Sequence, residues 1–322
     1  MASVEGTAET DPARPVAVIG GGSIGIAFAI VFARAGRAVR LFEPDAGRRG
    51  AIEGDLRRRL GDLQSYDLVD EAPEAIAARV EIVPDLAATV TGVAYVAECA
   101  PERVELKREL FAALDRAAPA DAVLASASSA ITASMFAADL PGRHRVLVAH
   151  PGNPPFLIPV IELVPAPFTA ARSIEVAEAL LRSIGMEPIV VRKEIEGFVF
   201  NRLQGALLRE AYCLVRDGVV TVDEVDRVVR DGLGLRWSVI GPFETADLNT
   251  RGGIASHAEK MGPAYVRMGA ERGQHDPWTP DLVAKVTGER RALLPPEQWE
   301  KRVAWRDRRL MALIRDRKSD RS

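Results

Sequence analysis

Val16-Ala17-Val18-Ile19-Gly20-Gly21-Gly22-Ser23-Ile24-Gly25 is the stretch that decides how this chain folds. Its first four residues form a short continuous apolar run, the pattern of a strand buried on both faces. Three glycines follow in the order GxGxxG, and Ile26 to Ala35 continues as small and apolar residues closed by Gly36, which predicts a helix. A second strand, Ala38 to Phe42, ends in the acid Glu43. Gly20 permits a tight turn, Gly22 lets the backbone approach a pyrophosphate, and Gly25 lets helix and strand pack closely. The helix N-terminus offers N–H groups and a positive dipole end to phosphates. Glu43 can accept both ribose hydroxyls of an adenosine and repels a 2′-phosphate, so NAD is expected rather than NADP. GxGxxG alone is a weak signal, and a purely structural glycine turn competes with it. Strand, glycines, helix, strand and acid in this order make it strong.

Outward from there, apolar strands alternate with helical stretches. Strands are expected at Val80–Val83, Val93–Glu98, Ala122–Ser126, Val146–Ala149, Ile158–Val164 and Pro188–Val191, with helices from Pro101 to Leu114 and from Thr169 to Ile184. This alternation indicates an α/β fold, a doubly wound parallel sheet of the Rossmann type. The segment Asp45 to Arg79 is helical and carries Arg48, Arg49, Arg57, Arg58 and Arg59. A solvated face is the simpler reading of that charge run, and contact with an anionic substrate is the sharper one. From Glu196 the strand signals stop. A long helix over 197–217, apolar nearly all round, is expected to be buried between domains or subunits. Thr221-Val-Asp-Glu224 is a capping box, Gly232 to Trp237 reads as a turn, and Gly241-Pro242-Phe-Glu244 starts a further helix. The expected organisation is a flexible lead over 1–15, a Rossmann domain over 16–194 and an all-helical C-terminal domain over 195–322.

In such sheets ligands lie beyond the carboxyl ends of the strands, which makes Ser126, Ser128, Ser129, Glu102 and His150 site candidates by position. For the serines, helix capping is a competing role. His150 stands before Pro151, and a stiff proline-rich loop leads to a strand carrying Glu162. A carboxylate holding one ring nitrogen leaves the other to act as a general base near neutral pH. The competing reading is a histidine that caps a loop beside an edge glutamate.

A net charge of −3 over 322 residues argues against a nucleic-acid surface. The length suggests two domains. The two cysteines, Cys99 and Cys213, sit in apolar segments and form no metal cluster or CxxC. They read as thiols of a reducing compartment. The opening residues contain no apolar core of a signal peptide, and no run reaches the ~18 residues of a membrane helix. A cytoplasmic location without membrane or nucleic-acid partners is expected.

Taken together, GGGSIG, Ala125-Ser-Ala-Ser-Ser129, His150-Pro-Gly-Asn-Pro-Pro155, Glu162-Leu-Val164 and Gly197-Phe-Val-Phe-Asn201-Arg202 resemble the L-3-hydroxyacyl-CoA dehydrogenase superfamily. Glu98-Cys-Ala-Pro-Glu102 with Lys107, Asp231-Gly-Leu-Gly-Leu-Arg236-Trp237, Gly241-Pro-Phe-Glu-Thr245 and Trp305-Arg-Asp307 are similar to its lambda-crystallin / L-gulonate 3-dehydrogenase branch. The resemblance spans almost the whole chain. It implies the same two-domain fold, a homodimer, His150 as base, Glu162 as its partner, and Asn201 with a serine at the substrate. Ser129 fits the spacing of the gulonate branch and Ser128 that of the acyl-CoA branch. It also implies NAD contacts at Ser23, Ile24, Glu43, Glu102 and Lys107. The chain departs from the acyl-CoA enzymes in a shorter hairpin after the second strand and in lacking their glycine-rich ending.

The reaction implied is hydride transfer from C3 of a small L-3-hydroxy acid to NAD. A buried guanidinium at Arg236 is expected to read the substrate carboxylate, against the alternative of an arginine that staples helices. The rival activities are a 3-hydroxyacyl-CoA (3-hydroxybutyryl-CoA) dehydrogenase and an L-carnitine dehydrogenase. The rival outside enzymes is a crystallin-like protein that binds NAD without turnover.

Overall fold

The computed structural model describes residues 11, 13–238, 240–249, 253–272, 281, 292 and 295–319. Most of the lead expected over 1–15 lies outside them. Eight strands form one sheet: β1 (Val16–Ile19), β2 (Val39–Phe42), β3 (Val80–Val83), β4 (Tyr95–Glu98), β5 (Val123–Ser126), β6 (Val146–Pro151), β7 (Val160–Pro165) and β8 (Glu187–Val190). Their order is β3-β2-β1-β4-β5-β6-β7-β8. Neighbours are parallel except β6 and β7, which run antiparallel. The sheet is therefore doubly wound but mixed, because the proline-rich loop is too short to carry a parallel crossover.

Helices cover both faces: α1 (Ser23–Arg34), α2 (Ala46–Gln64), α3 (Pro73–Ala77), α4 (Leu86–Val90), α5 (Val104–Ala117), α6 (Ala133–Ala137) and α7 (Ala171–Ser183). The period-2 alternation of β1 divides the core. Val16 and Val18 pack with α1, α2 and α7, while Ala17 and Ile19 pack with α4, α5 and α6. All four β1 side chains are buried, which is why no polar residue interrupts the strand.

The chain separates into two compact units, one running up to Arg202 and resuming at Ala304, the other from Leu203 to Val303. The second contains most of α8 (Phe200–Arg216), then α9 (Val222–Arg227), α10 (Gly234–Trp237), α11 (Pro242–Leu248) and α12 (Gly253–Arg272). The capping box forms as expected: the Thr221 hydroxyl accepts from the Glu224 amide, and the Glu224 carboxylate accepts from the Thr221 amide. Arg272 at the end of α12 bonds both Glu210 and Asp217, joining it to the end of α8.

Three readings of this half need correction. The helix over 197–217 is amphipathic rather than apolar all round, and Leu203, Leu207 and Leu208 are exposed in the single chain. The segment read as a turn from Gly232 is helical: Val228–Leu233 is a π-helix that runs directly into α10. A Cβ on Gly234 would stand 2.8 Å from the Val229 carbonyl oxygen, so this glycine admits the carbonyl of the widened turn instead of ending the helix. The last helix, α13 (Trp299–Ser319), was expected to stay with the helical domain. Its residues from Ala304 rejoin the sheet unit, where Met311 is 2% exposed within the core and Ile314 packs against it.

Candidate active site

The carboxyl ends of β1, β4, β5 and β6 meet along one edge of the sheet unit. At β1, Gly20 has φ +111°, a region open to glycine, and a Cβ there would lie 2.9 Å from the Cys99 carbonyl oxygen. At Gly25 a Cβ would overlap the Gly20 carbonyl oxygen at 1.8 Å, so the third glycine is what seats α1 against the turn. A Cβ on Gly22 would meet nothing within 4 Å, which leaves an open approach to the start of α1. Gly22 is the N-cap and supplies no side-chain acceptor to the first turn. The amides of Ser23, Ile24 and Gly25 are accordingly of the kind that receive a pyrophosphate. Glu43 directly follows β2, with Oε2 accepting from the Gly21 amide at 2.8 Å and Oε1 from the Asp45 amide at 3.0 Å. These bonds fix the carboxylate beside the glycine turn, where a dinucleotide fold can place an acid against a ribose. The glycine roles and the acid all fit NAD.

At the end of β4, Glu98 and Lys107 of α5 form a fully buried ion pair. Lys107 Nζ donates to both Glu98 oxygens at 3.0 and 2.8 Å and to Ser126 Oγ at 3.2 Å. Glu98 also accepts from the Ala100 amide at 2.7 Å and from Ser126 Oγ at 2.6 Å. Lys107, a candidate cofactor contact, thus has its three donors turned inward. Glu102 is exposed and gathers the serine loop. It accepts from Ser128 Oγ at 2.9 Å, from Ser129 Oγ at 2.8 Å and from the Ser129 amide. Ser128 is buried and its Oγ also accepts from the Ile131 amide at 2.8 Å, which braces the loop; the N-cap of α6 is Thr132, so the expected helix-capping role does not fall on this serine. Ser129 is half-buried.

His150 and Glu162 face each other directly across the β6–β7 ladder. They are 8% and 3% exposed, and His150 Nδ1 donates to Glu162 Oε2 at 2.7 Å. The histidine lies within the strand pair, because β6 continues through Pro151 and β7 begins at Val160. Glu162 Oε1 accepts from the Val199 and Phe200 amides at 2.7 and 3.0 Å. Those amides open α8 and follow Phe198, which holds φ +49°, a costly conformation for an aromatic residue. Burial pushes the Glu162 carboxyl up, but the bonds from His150, Phe200 and Val199 outweigh it and hold the group below its ordinary range. The His150 ring is packed by Phe198 and Phe200, at 5.6 and 6.2 Å between centroids. An imidazole fixed through Nδ1 to an ionised carboxylate presents Nε2 as a proton acceptor. Asn201 Nδ2 donates to the Ser129 carbonyl oxygen at 2.9 Å, which ties the start of α8 to the serine loop.

Arg236, expected to be buried, is exposed in α10. Its helix continues the π turn, and that directs a residue read as turn-bound onto a helical surface. The two phenylalanines around His150, the amide anchor of Glu162 and the buried bonding of Glu98 to Lys107 and Ser126 do not show in the sequence, although Ser126 and Lys107 do stand out there as candidates. The Gly-Phe-Val-Phe-Asn motif carried part of that signal, since an aromatic, amide-rich helix start suits a carboxylate. Among the described residues no group of His, Cys, Asp and Glu is arranged to hold a metal ion. No helix among them is long and apolar enough to cross a membrane.

Residues 15–195 match the family model of the 3-hydroxyacyl-CoA dehydrogenase NAD binding domain, and residues 197–291 match that of the C-terminal domain of the same enzymes. A lambda-crystallin homolog of Bos taurus is 38% identical over 302 residues, 92% of this chain and 94% of that protein. An L-carnitine dehydrogenase of Pseudomonas putida is 33% identical, covering 96% of this chain and 95% of the relative. Among solved structures, an NAD+-dependent dismutase, 5-formyl-3-hydroxy-2-methylpyridine 4-carboxylic acid 5-dehydrogenase, aligns with a TM-score of 0.81 at 28% identity over 94% of this chain and 97% of that one.

Proposed function

This chain is a member of the 3-hydroxyacyl-CoA dehydrogenase family, and from that premise we propose that it oxidises the 3-hydroxyl of a small, free L-3-hydroxy acid, as an L-gulonate 3-dehydrogenase does. NAD is the cofactor, and when bound it supplies the acceptor for the hydride. The observation that carries the reading is the half-closed His150–Glu162 pair, with Nδ1 held at 2.7 Å and the second carboxylate oxygen anchored on two amides. His150 Nε2 takes the hydroxyl proton as the C3–H bond breaks, and ionised Glu162 stabilises the resulting imidazolium. Ser129 is assigned to the substrate hydroxyl rather than Ser128, whose oxygen is buried and engaged on both sides. Asn201 holds the Ser129 backbone in place. Arg236 is assigned to the substrate carboxylate; its exposure leaves the guanidinium accessible, and bidentate pairing suits it to an acid.

The test is NADH production with L-gulonate, L-3-hydroxybutyrate, L-carnitine and L-3-hydroxybutyryl-CoA. A free acid preferred over the thioester supports the proposal, and the thioester winning overturns it. Preference for carnitine favours the second reading, which the 33% identity to the Pseudomonas putida enzyme keeps in play. Arg236→Ala is expected to raise the Michaelis constant for the acid about tenfold or more, and an unchanged constant removes it from the site. The exposed leucines of α8 support a homodimer, checked by light scattering on the purified protein. Two thiols without a disulfide agree with a cytoplasmic site of action, checked by fractionation.

A further inference from the structure

The arginine run of α2 is not one solvated face. Arg57 and Arg58 are exposed and pair with Glu53 and Asp55 on their own helix. Arg48 and Arg49 turn toward the glycine turn: Arg48 Nε donates to the Gly21 carbonyl at 2.7 Å, and Arg49 to the Glu43 and Pro44 carbonyls at 2.7 Å each. Arg59 goes further. Its guanidinium donates to the Ser23 carbonyl and to Ser23 Oγ, both at 3.1 Å. It also lies over the Phe156 ring at 5.8 Å from the centroid. Ser23 is the first residue of α1, and its neighbour Gly22 leaves the approach to that helix start open.

We propose that Arg59 is a ligand of the cofactor's pyrophosphate, adding a formal positive charge where the glycine turn and helix start offer only backbone dipoles. A dinucleotide carries two negative charges on its pyrophosphate. Backbone amides meet them with partial charges, whereas a guanidinium meets them with planar, charge-assisted hydrogen bonds. The Phe156 ring limits the orientations of the guanidinium, so less freedom is lost when an anion arrives. Burial lowers the Arg59 pKa from its ordinary value, Arg58 adds to that, and Asp55 and then Asp307 of α13 oppose it. A partly dehydrated cation of this kind gains more from an anionic ligand than a solvated one does. Phe156 belongs to the loop that follows His150, so the cation also links the cofactor's phosphates to the segment behind the base.

The experiment is a fluorescence titration of NADH, with ADP-ribose as competitor, on the purified full chain, wild type against Arg59→Met, Arg59→Lys and Arg57→Met. Arg59→Met is expected to weaken NADH and ADP-ribose by the same factor, about 10- to 100-fold, and to flatten the salt dependence of NADH binding. Arg57→Met, which removes the same charge from the same helix, is expected to stay within about twofold because exposed charges are screened. Arg59→Lys keeps the charge and is expected to lose less than Arg59→Met, and it carries the test if Arg59→Met does not fold. Equal weakening by Arg57→Met would reduce the effect to a general field and overturn the proposal. Unchanged NADH affinity with a raised Michaelis constant for the hydroxy acid would move Arg59 to the substrate, and unchanged constants throughout would make it structural; either result overturns the assignment.

Discussion

The ends of β4 and β6 each hold a carboxylate buried against a side-chain nitrogen, and the two pairs are built differently. Lys107–Glu98 is closed: the ammonium spends its donors on Glu98 and Ser126, and the carboxylate adds the Ala100 amide. His150–Glu162 is half closed. The carboxylate is saturated by His150 and two amides, while the described residues give Nε2 of the ring no hydrogen bond. Burial is similar in both, with no member above 8% exposed. Burial alone therefore does not mark the chemistry. A closed pair positions backbone, here the loop after β4, and a half-closed pair has one atom left to act on a substrate.

Substitution separates the two in kind. His150→Gln is expected to lower kcat by about 10²–10⁴ while the NADH dissociation constant and melting temperature stay near wild type. Single-turnover kinetics beside NADH titration checks this, and turnover near wild type would remove His150 as the base. Lys107→Met should do the reverse. It leaves Glu98 charged and unpaired in the interior, at a cost of about 3–5 kcal/mol of stability, read by denaturant unfolding. The protein that remains folded at low temperature should still turn over. If Lys107→Met instead abolishes turnover in well-folded protein, the contrast between closed and half-closed pairs breaks.

A smaller effect sharpens the same contrast. Ser126→Ala removes a hydroxyl that donates to Glu98 at 2.6 Å and accepts from Lys107, but leaves the ion pair itself intact. The expected loss is about 1.5–3 kcal/mol, the range for a hydrogen bond to a charged group. A loss as large as that of Lys107→Met would mean that the serine, not the ion pair, closes the cluster.

What could be read from sequence follows the range of the interactions. The glycine turn, Glu43 and the order of strands and helices were legible because each depends on residues near in sequence or on a repeating apolar pattern. The pairing of His150 with Glu162 was legible for a related reason, since one short loop separates two strands. Lys107 stands out in the sequence, but its partner lies nine residues away on another element, and only the packing of α5 on β4 brings them together. The exposed, helical setting of Arg236 is hidden in the sequence because Gly232 and Gly234 look like turn residues. The local pattern does not distinguish a glycine that ends a helix from one that makes room for a carbonyl within it. The arginine run is ambiguous for the opposite reason: five like residues in one helix split between solvent, backbone carbonyls near the glycine turn, and the Ser23–Phe156 setting of Arg59.

The smallest expected effect lies in the acid limb of stability and tests whether Glu162 is held ionised by its amides. Its folded pKa is depressed below the ordinary value of 4.5, so the ionised form is favoured by folding. The contribution is complete above the unfolded pKa, and it is lost as pH falls through the folded one. Glu162→Gln removes this proton linkage while keeping an oxygen that can accept from Val199 and Phe200. The stability difference between wild type and Glu162→Gln should therefore shrink as the pH falls below about 4.5. Other depressed carboxylates, including Asp217 at about 2 beside Arg216 and Arg272, contribute equally to both proteins and cancel in the difference. Melting curves across pH 3–7 give the answer. A difference that stays flat to the acid end would mean that Glu162 titrates alike in folded and unfolded chains, and the half-closed pair would then lack the ionised anchor that holds Nδ1.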